Sequence, residues 1–348
     1  MKIFIIGSGG REHVLAWKMK ESPLVNELYC APGNGGISEI AQCVDIKADD
    51  LPALLKFAKE KQIDLTVVGP EAPLVAGIVD AFEKKGLKIF GPSRQAAQLE
   101  GSKIFAKEFM YECNIPTANF HKFEDIEKAK DFLQRALYPM VIKADGLAAG
   151  KGVIICKDMV EAEKAIDEIM AQKVFKEAGQ KIVIEEYLEG EEVSILAIGD
   201  GENYCLLESS QDHKRIFDDD IGPNTGGMGA YSPAPVLTEK LRKIIETRII
   251  EPTIRGMQRN AMPFKGVLYA GLMITAEGPM VLEYNVRFGD PEAQAVLPRM
   301  KGDIVELMLA SCEGWLDKVE LKWDKRCCVC VVISSGGYPG EYETGKEI

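Results

Sequence analysis

Residues 1 to about 100 alternate short apolar runs with helix-length stretches, and glycine turns close most of the apolar runs. "KIFIIG" reads as a strand and "REHVLAWKMKES" as a helix. "ELYCAP" is a short strand, and "DDLPALLKFAKEKQ" a helix with an Asp cap and Pro52 in its first turn. "DLTVVGP", "LVAGIVDAFEKKG" and "KIFGPS" continue as strand, helix and strand. Units of this length fold into a parallel sheet with helices on both faces, because runs apolar on every side must be covered twice. The turns "GSGG", "PGNGG", "GPE" and "GPS" all follow strands. Ligands in such sheets sit beyond the carboxyl ends of the strands. That makes Gly9, Gly10, Arg11, Asn34, Gly35 and Glu71 candidate substrate contacts.

The pattern changes after residue 101. Two helices, "SKIFAKEFMYECNIP" and "DIEKAKDFLQRAL", precede a glycine-rich hairpin. A third helix, "MVEAEKAIDEIMAQ", leads to the strands "KIVIEEYL" and "EEVSILAIGD". Later come the helix "TEKLRKIIETRIIEPTIRGMQRN" and the strands "GVLYAGLMIT" and "PMVLEYNV". The expected class is therefore α/β and α+β multidomain. A Rossmann-like parallel domain would cover 1–101 and a second domain 102–325, with a small lid lobe at about 120–190. A strand-rich C-terminal domain would begin at 326–348 and stop abruptly.

The stretch "VIKADGLAAGKGVIIC" approaches the P-loop, but Gly146 to Lys151 is one residue short and Gly152 replaces the metal-binding hydroxyl. A strand follows it instead of a helix, so the loop reads as a hairpin flap. In "VLEYNVRFGDPEAQ", Glu283 and Asn285 are two apart on a strand and share one face. A carboxylate and an amide oxygen are hard ligands suited to Mg²⁺ held against phosphates. Arg287 falls on that face if the strand continues, and can grip a carboxylate or phosphate with two donors. Asp290 and Glu292 follow in a turn, Asp290 as a further substrate contact.

In "VIEEYLEGEEVSI", backbone at Glu186 and Leu188 can read an adenine edge, and Glu192 or Glu191 can hold ribose hydroxyls. "SSQDHKRIFDDDIGPNTGGMGAYSP" at 209–233 reads as a long polar loop, usually a functional feature in a compact domain. It offers Asp212, His213, Lys214 and Arg215. The N–H groups of Asn224, Thr225, Gly226, Gly227 and Met228 are candidate donors to a phosphate or carboxylate. The Asp218–Asp220 triplet reads as a solvated acidic turn.

These stretches, with "PGNGG", "VVGPEAPLVAGIVD", "ADGLAAGKGV", "EEYLEGEEVS", "QDHKR", "NTGGMGAYSP" and "EYNVRFGDPE" in order, resemble the phosphoribosylamine–glycine ligase family of ATP-grasp enzymes. The resemblance covers essentially the whole chain and implies an ATP-grasp fold for the second domain. It implies that the flap, with Gly150, Lys151 and Gly152, closes over the triphosphate. Lys103 and Lys143 would contact phosphates, and Glu185, Glu186, Leu188 and Glu192 would hold adenine and ribose. Glu283 and Asn285 would ligate Mg²⁺ or Mn²⁺, with Lys143 and Arg287 as the catalytic residues. The implied reaction of purine synthesis forms glycyl phosphate from glycine and ATP, and the amine of 5-phosphoribosylamine then attacks it. ATP, glycine and that amine are thus the expected partners, and a monomer or weak dimer is expected.

The net charge of −12 argues against a nucleic-acid surface. No apolar run approaches the roughly 18–20 residues that span a bilayer. Nine scattered cysteines suit reduced thiols in the cytoplasm, and "CCVC" at 327–330 reads as part of a buried strand. Glu12 stands where a dinucleotide fingerprint needs its third glycine, and Cys30 lies where the ribose-binding acid belongs, which disfavours a dehydrogenase. The remaining alternatives are another ATP-grasp carbon–nitrogen ligase or carboxylase, and an inactive ATP-binding truncation.

Overall fold

A computed structural model describes residues 1–148, 152–172, 176–343 and 345. The N-terminal strands are β1 (Lys2–Gly7), β2 (Glu27–Pro32), β3 (Gln42–Cys43), β4 (Leu65–Val68) and β5 (Ile89–Phe90). They form a parallel sheet of order β3-β2-β1-β4-β5. Ile3, Phe4, Ile5 and Ile6 of β1 are fully buried, as a central strand covered on both faces must be. Ile3 and Ile5 pack with Leu15 and Met19 of the helix Gly10–Lys20. Phe4 and Ile6 pack with Leu54 and Ala58 of the helix Leu51–Lys61 and with Phe82. The latter helix starts as its sequence requires, with Asp50 accepting from Ala53 N at 3.1 Å. Such a cap contributes about 1 kcal/mol.

The next sheet contains β6 (Phe120–Phe123), β7 (Met140–Ala144), β8 (Val153–Cys156) and β9 (Ile182–Glu186), antiparallel in the order β6-β9-β7-β8. Helices Ile126–Leu133 and Met159–Ile166 cover one face, against Met140, Ile142, Ile182 and Ile184. Side chains alternate along a strand, so Lys143 and Glu185 project from the opposite face.

The third section holds β10 (Glu191–Asp200) and β11 (Tyr204–Leu206), then β12 (Gln211–Asp212), β13 (Arg215–Phe217), β14 (Ile221–Asn224) and β15 (Gly229–Ser232). The strands β16 (Lys265–Thr275), β17 (Gly278–Asn285), β18 (Met300–Lys301), β19 (Lys322–Trp323) and β20 (Cys328–Val331) follow. The sheet β11-β10-β16-β17 carries the site, and β18 pairs with β19.

Two expectations need correction. The segment 209–233 is not an open loop: β13 and β14 form a hairpin, and β12 and β15 pair with each other. These strands are two to four residues long, too short for their alternation to show among Asp and Gly. The cysteine strand β20 is also not buried. It adds to β15 as an edge strand and leaves Val329 and Val331 exposed.

Candidate nucleotide and substrate site

Three elements meet where β7 ends. Ser102 caps the helix Lys103–Glu112, and Asp145 Oδ1 accepts from both Ser102 Oγ at 2.9 Å and Ile104 N at 3.1 Å. That ties the helix start to the base of the glycine flap, where Lys103 Nζ donates to Gly146 O at 3.0 Å. Burial lowers the pKa of Lys103, against the opposing charge of Glu283. Lys143 Nζ donates to Glu185 Oε2 and to Leu282 O, both at 3.0 Å. Leu282 is the spare residue of a β-bulge, since Gly271 pairs with Glu283 while Leu272 already pairs with Val281. The bulge turns a carbonyl toward the lysine, a re-aiming common beside active sites.

The buried Lys107 reaches the same Glu185 oxygen at 2.9 Å. Sequence reading missed it, although "SKIFAK" places it four residues after Lys103 on one helix face. Gly152 lies at the start of the returning strand, its carbonyl accepting from Ala144 N at 2.8 Å. Gly150 and Lys151 lie outside the described residues.

On β17, Tyr284 turns inward to Thr253 Oγ1 at 2.7 Å, so Glu283 and Asn285 share the other face, as their spacing predicts. The Glu283 side chain makes no hydrogen bond among the described residues. Burial would raise its pKa, but the charges of Lys214, Lys143, Lys103 and Arg287 outweigh that and hold it below the usual range. Although β17 ends at Asn285, Arg287 stays beside it, donating to Asn285 Oδ1 at 3.3 Å. The guanidinium also meets Glu71 at 3.3 Å and Glu100 at 3.1 Å. Burial lifts the Glu100 carboxyl above its ordinary range in spite of Arg287. Burial pushes Glu71 the same way, yet Arg287 and its own backbone N–H pull it below. Two residues expected to touch substrate, Glu71 and Arg287, thus touch each other. Glu100 had no signal in the sequence.

Around the first turn, Glu12 accepts from Gly9 N at 2.6 Å and pairs with Arg11 Nε at 2.6 Å. Its carboxylate fills the space over β1 and β4: a Cβ on Gly69 would lie 1.9 Å from Glu12 Oε1. The acid thus occupies the room that the third glycine of a dinucleotide fingerprint would leave open. Arg11 is corrected from an open charged contact to a buried brace, spent on Glu12 and on Phe288 O at 3.1 Å. Asp290 accepts from Arg11 N at 3.4 Å, Asn34 Nδ2 donates to Ser8 O at 2.9 Å, and Gly227 packs on Pro291. Gly9, Gly10, Asn34, Gly35, Asp290 and Gly227 therefore gather on one side.

Lys214 Nζ lies 3.2 Å from Glu192 and 4.0 Å from Asp212. Burial pushes the Asp212 carboxyl up to about 7, against Lys214 and together with Glu292, Glu192 and Glu283. Glu191 accepts from Gln211 Nε2 at 3.1 Å. Behind them Tyr269 Oη donates to Glu292 Oε1 at 2.8 Å. His213 stands apart, exposed and 5.4 Å from the Tyr231 ring.

The 224–228 segment differs from the expected open nest. Thr225 N donates to Lys214 O, Gly226 N to Tyr338 Oη, Gly227 N to Thr225 Oγ1 and Met228 N to His213 O. Backbone pairing beside β13–β15 consumes two of these amides, and the hydroxyls of Tyr338 and Thr225 consume the other two. Asn224 ends β14, opposite Arg215. Likewise Glu186 spends its N–H on Asn119 O at 3.1 Å, and its carboxylate accepts from Asn119 N and Nδ2. The backbone of Leu188 makes no hydrogen bond among the described residues.

The chain is similar to known proteins over its whole length. The phosphoribosylglycinamide synthetase N domain matches residues 1–100, and the phosphoribosylglycinamide synthetase ATP-grasp (A) domain matches residues 101–293. The phosphoribosylamine–glycine ligase of Salmonella typhimurium is 54% identical over 351 residues, covering 100% of this chain and 82% of its own. A crystal structure of phosphoribosylamine–glycine ligase from Thermotoga maritima superposes with a TM-score of 0.87 at 32% identity, covering 99% of this chain and 83% of that one. The fold alone is shared with the biotin carboxylase domain of Hydrogenobacter thermophilus 2-oxoglutarate carboxylase, solved with MgADP and bicarbonate. There the TM-score is 0.71 at 17% identity, covering 90% and 69% of the two chains. No helix among the described residues is long and apolar enough to cross a membrane.

Proposed function

We infer the chemistry of this site from the premise that the chain belongs to the phosphoribosylamine–glycine ligase family. It is an ATP-dependent carbon–nitrogen ligase of purine biosynthesis, joining glycine to 5-phosphoribosylamine. Our reading takes residues 1–101, 102–325 and 326–348 as its domains, working in the cytoplasm, where nine free thiols suit the redox conditions.

A carboxylate is a poor electrophile, so glycine has to be activated before an amine can displace one of its oxygens. ATP supplies a phosphoryl group, glycyl phosphate forms, and the amine of phosphoribosylamine expels phosphate. No protein nucleophile is required, so catalysis consists of positioning and charge neutralisation. Lys103 and Lys143, at the base of the flap, receive the phosphates. Arg287 orients the glycine carboxylate, its guanidinium braced by Glu100. The turns at Gly9–Gly10 and Asn34–Gly35, with Asp290, face the phosphoribosyl group, while Asp212 and Lys214 border the glycine side. Leu188, with its free backbone, and Glu192 take the base and ribose.

The donor set at Glu283 and Asn285 fits a divalent cation, because a half-buried carboxylate whose side chain has no hydrogen bond among the described residues stands beside an amide oxygen. Mg²⁺ or Mn²⁺ held there would neutralise charge on the transferring phosphoryl group.

The observation that carries this reading is the convergence of Lys103, Lys143, Lys214 and Arg287 on the half-buried Glu283, a site built for concentrated negative charge. Its test is ADP release with Mg²⁺ and each acid in turn. Release that needs both glycine and freshly generated 5-phosphoribosylamine is expected. Release with bicarbonate and no amine would make the chain a carboxylase.

A further inference from the structure

Two thiols lie under the turns assigned to the phosphoribosyl group. Cys30 of β2 and Cys43 of β3 are direct partners in the parallel pairing, so their side chains leave the sheet on the same face. Both pack into one apolar cluster with Leu15 and Ile37. Gly33 stands over the pair in left-handed backbone (φ +75°): a Cβ there would lie 2.4 Å from Cys43 Sγ and 3.6 Å from Cys30 Cβ. Each sulfur also meets a carbonyl of a ligand turn. Cys30 Sγ donates to Gly7 O at 3.4 Å, and Cys43 Sγ to Asn34 O at 3.7 Å.

The pairing puts a disulfide within reach. Neighbouring strands stand about 4.8 Å apart, inside the roughly 4.4–6.8 Å that the two Cα atoms of a disulfide span. The Cβ atoms must close to about 3.8 Å, so the bond draws the strands together on that face. β3 is the strand that yields, because it is an edge strand of two residues while β2 is paired on both sides. The short helix Gly35–Ser38, capped by Asn34, joins the two strands. Bond formation therefore takes both sulfurs off the carbonyls of Gly7 and Asn34 and pulls on the turn between. The two thiols also differ. Cys30 is fully buried, and burial, with Cys43 and Glu12 nearby, pushes its thiol up to about 12. Cys43 is partly exposed, so an oxidant reaches it first.

We propose that Cys30 and Cys43 form a reversible disulfide under peroxide, which distorts the Gly7 and Asn34 turns and lowers affinity for the phosphoribosyl substrate. Hydrogen peroxide gives one oxygen to the Cys43 thiolate, forming the sulfenic acid and releasing hydroxide. The Cys30 sulfur then displaces hydroxide from that acid, and the Cys30 proton leaves with it as water. Two thiols and one hydrogen peroxide become one disulfide and two waters. A bond strained by strand pairing is readily reduced by small thiols, so the device resets. The proposal rests on the assignment of these turns to the phosphoribosyl group and adds a means of controlling that site.

The test treats the whole chain with hydrogen peroxide, alkylates the remaining thiols and analyses non-reduced peptides by mass spectrometry. A Cys30–Cys43 link is expected. Calorimetry then follows ribose 5-phosphate, which keeps the phosphate of the substrate and carries a hydroxyl in place of its amine. The linked chain should bind it at least about tenfold more weakly, as for one lost hydrogen bond to a charged group, and dithiothreitol should restore the affinity. Cys43→Ser keeps a hydroxyl donor for Asn34 and should hold its affinity through peroxide treatment. Cys30→Ala should do the same from the other strand, and keeps the test available if Cys43→Ser does not fold. No link, a link that leaves affinity unchanged, or a folded variant as sensitive as wild type would each overturn the proposal while the ligase reading stands. A reduced chain that does not bind ribose 5-phosphate would overturn the reading of the turns, and this control with it.

Discussion

Replacing Arg287 with Met should separate its structural contribution from its catalytic one. The guanidinium contacts Glu100 at 3.1 Å, Glu71 at 3.3 Å and Asn285 at 3.3 Å, and Glu100 has only 7% of its side chain exposed. Removing one partner of a buried ion pair costs about 3–5 kcal/mol. Arg287 itself is 19% exposed, so the low end, about 3 kcal/mol, applies at pH 7. For a chain of this size that is a fall in Tm of about 6–10 °C. The loss has a pH signature. Stranded Glu100 keeps its proton to higher pH in the folded state than in the unfolded one, so the folded state binds more protons. Stability of the variant should therefore fall as pH rises from about 5 to 7, relative to wild type. Adding Glu100→Gln removes the stranded charge and should recover at least half of the lost stability. Turnover should stay at least about a hundredfold down in both variants, because the carboxylate-orienting group is gone. Denaturant titration and steady-state ADP release measure the two effects. A double variant as unstable as the single one would show that Glu100 is not the stranded partner. One that regains turnover would refute the catalytic role of Arg287.

Glu283→Gln should leave the fold intact and cut turnover at least about a hundredfold; near-wild-type rates at saturating Mg²⁺ would contradict its placement at the metal. Burial lowers the Lys107 pKa to about 8, against Glu185 and with Lys143. Between about pH 8 and 10 the unfolded chain then holds more protons than the folded one, so stability gains about 1–3 kcal/mol from this group as pH rises. Chemical denaturation should show that gain in wild type and not in Lys107→Met, and parallel slopes would refute it. Gly69→Ala places a methyl on Glu12 Oε1 and should cost about 1–3 kcal/mol, read as a shift in denaturation midpoint. No shift would mean that the acid does not fill the turn.

The parts of this fold that could be read from residues were local. Runs such as "KIFIIG" announce a doubly covered strand, and the period of two puts Glu283 and Asn285 on one face whatever surrounds them. Pairs far apart in the chain left no such mark. Glu71 and Arg287, 216 residues apart, and Lys107 and Glu185 are brought together only by packing. The bulge at Leu282 was equally hidden, because an extra residue in a strand looks like any other. In the 224–228 segment the glycines correctly marked unusual backbone, but their N–H groups donate to the hydroxyls of Tyr338 and Thr225 instead of facing a ligand. Arg11 followed the same logic: a cation beside a phosphate-like turn became a brace because Glu12 is its neighbour.

The central claim is that glycine is activated as its acyl phosphate, and the fate of one oxygen tests it. The incoming amine cannot expel an oxide ion, so a carboxylate oxygen of glycine has to depart with phosphate. Glycine labelled with ¹⁸O in the carboxylate, with ATP, Mg²⁺ and 5-phosphoribosylamine generated in place, should give ¹⁸O-labelled inorganic phosphate in equal amount to the amide. Unlabelled phosphate accompanying real product would contradict the route.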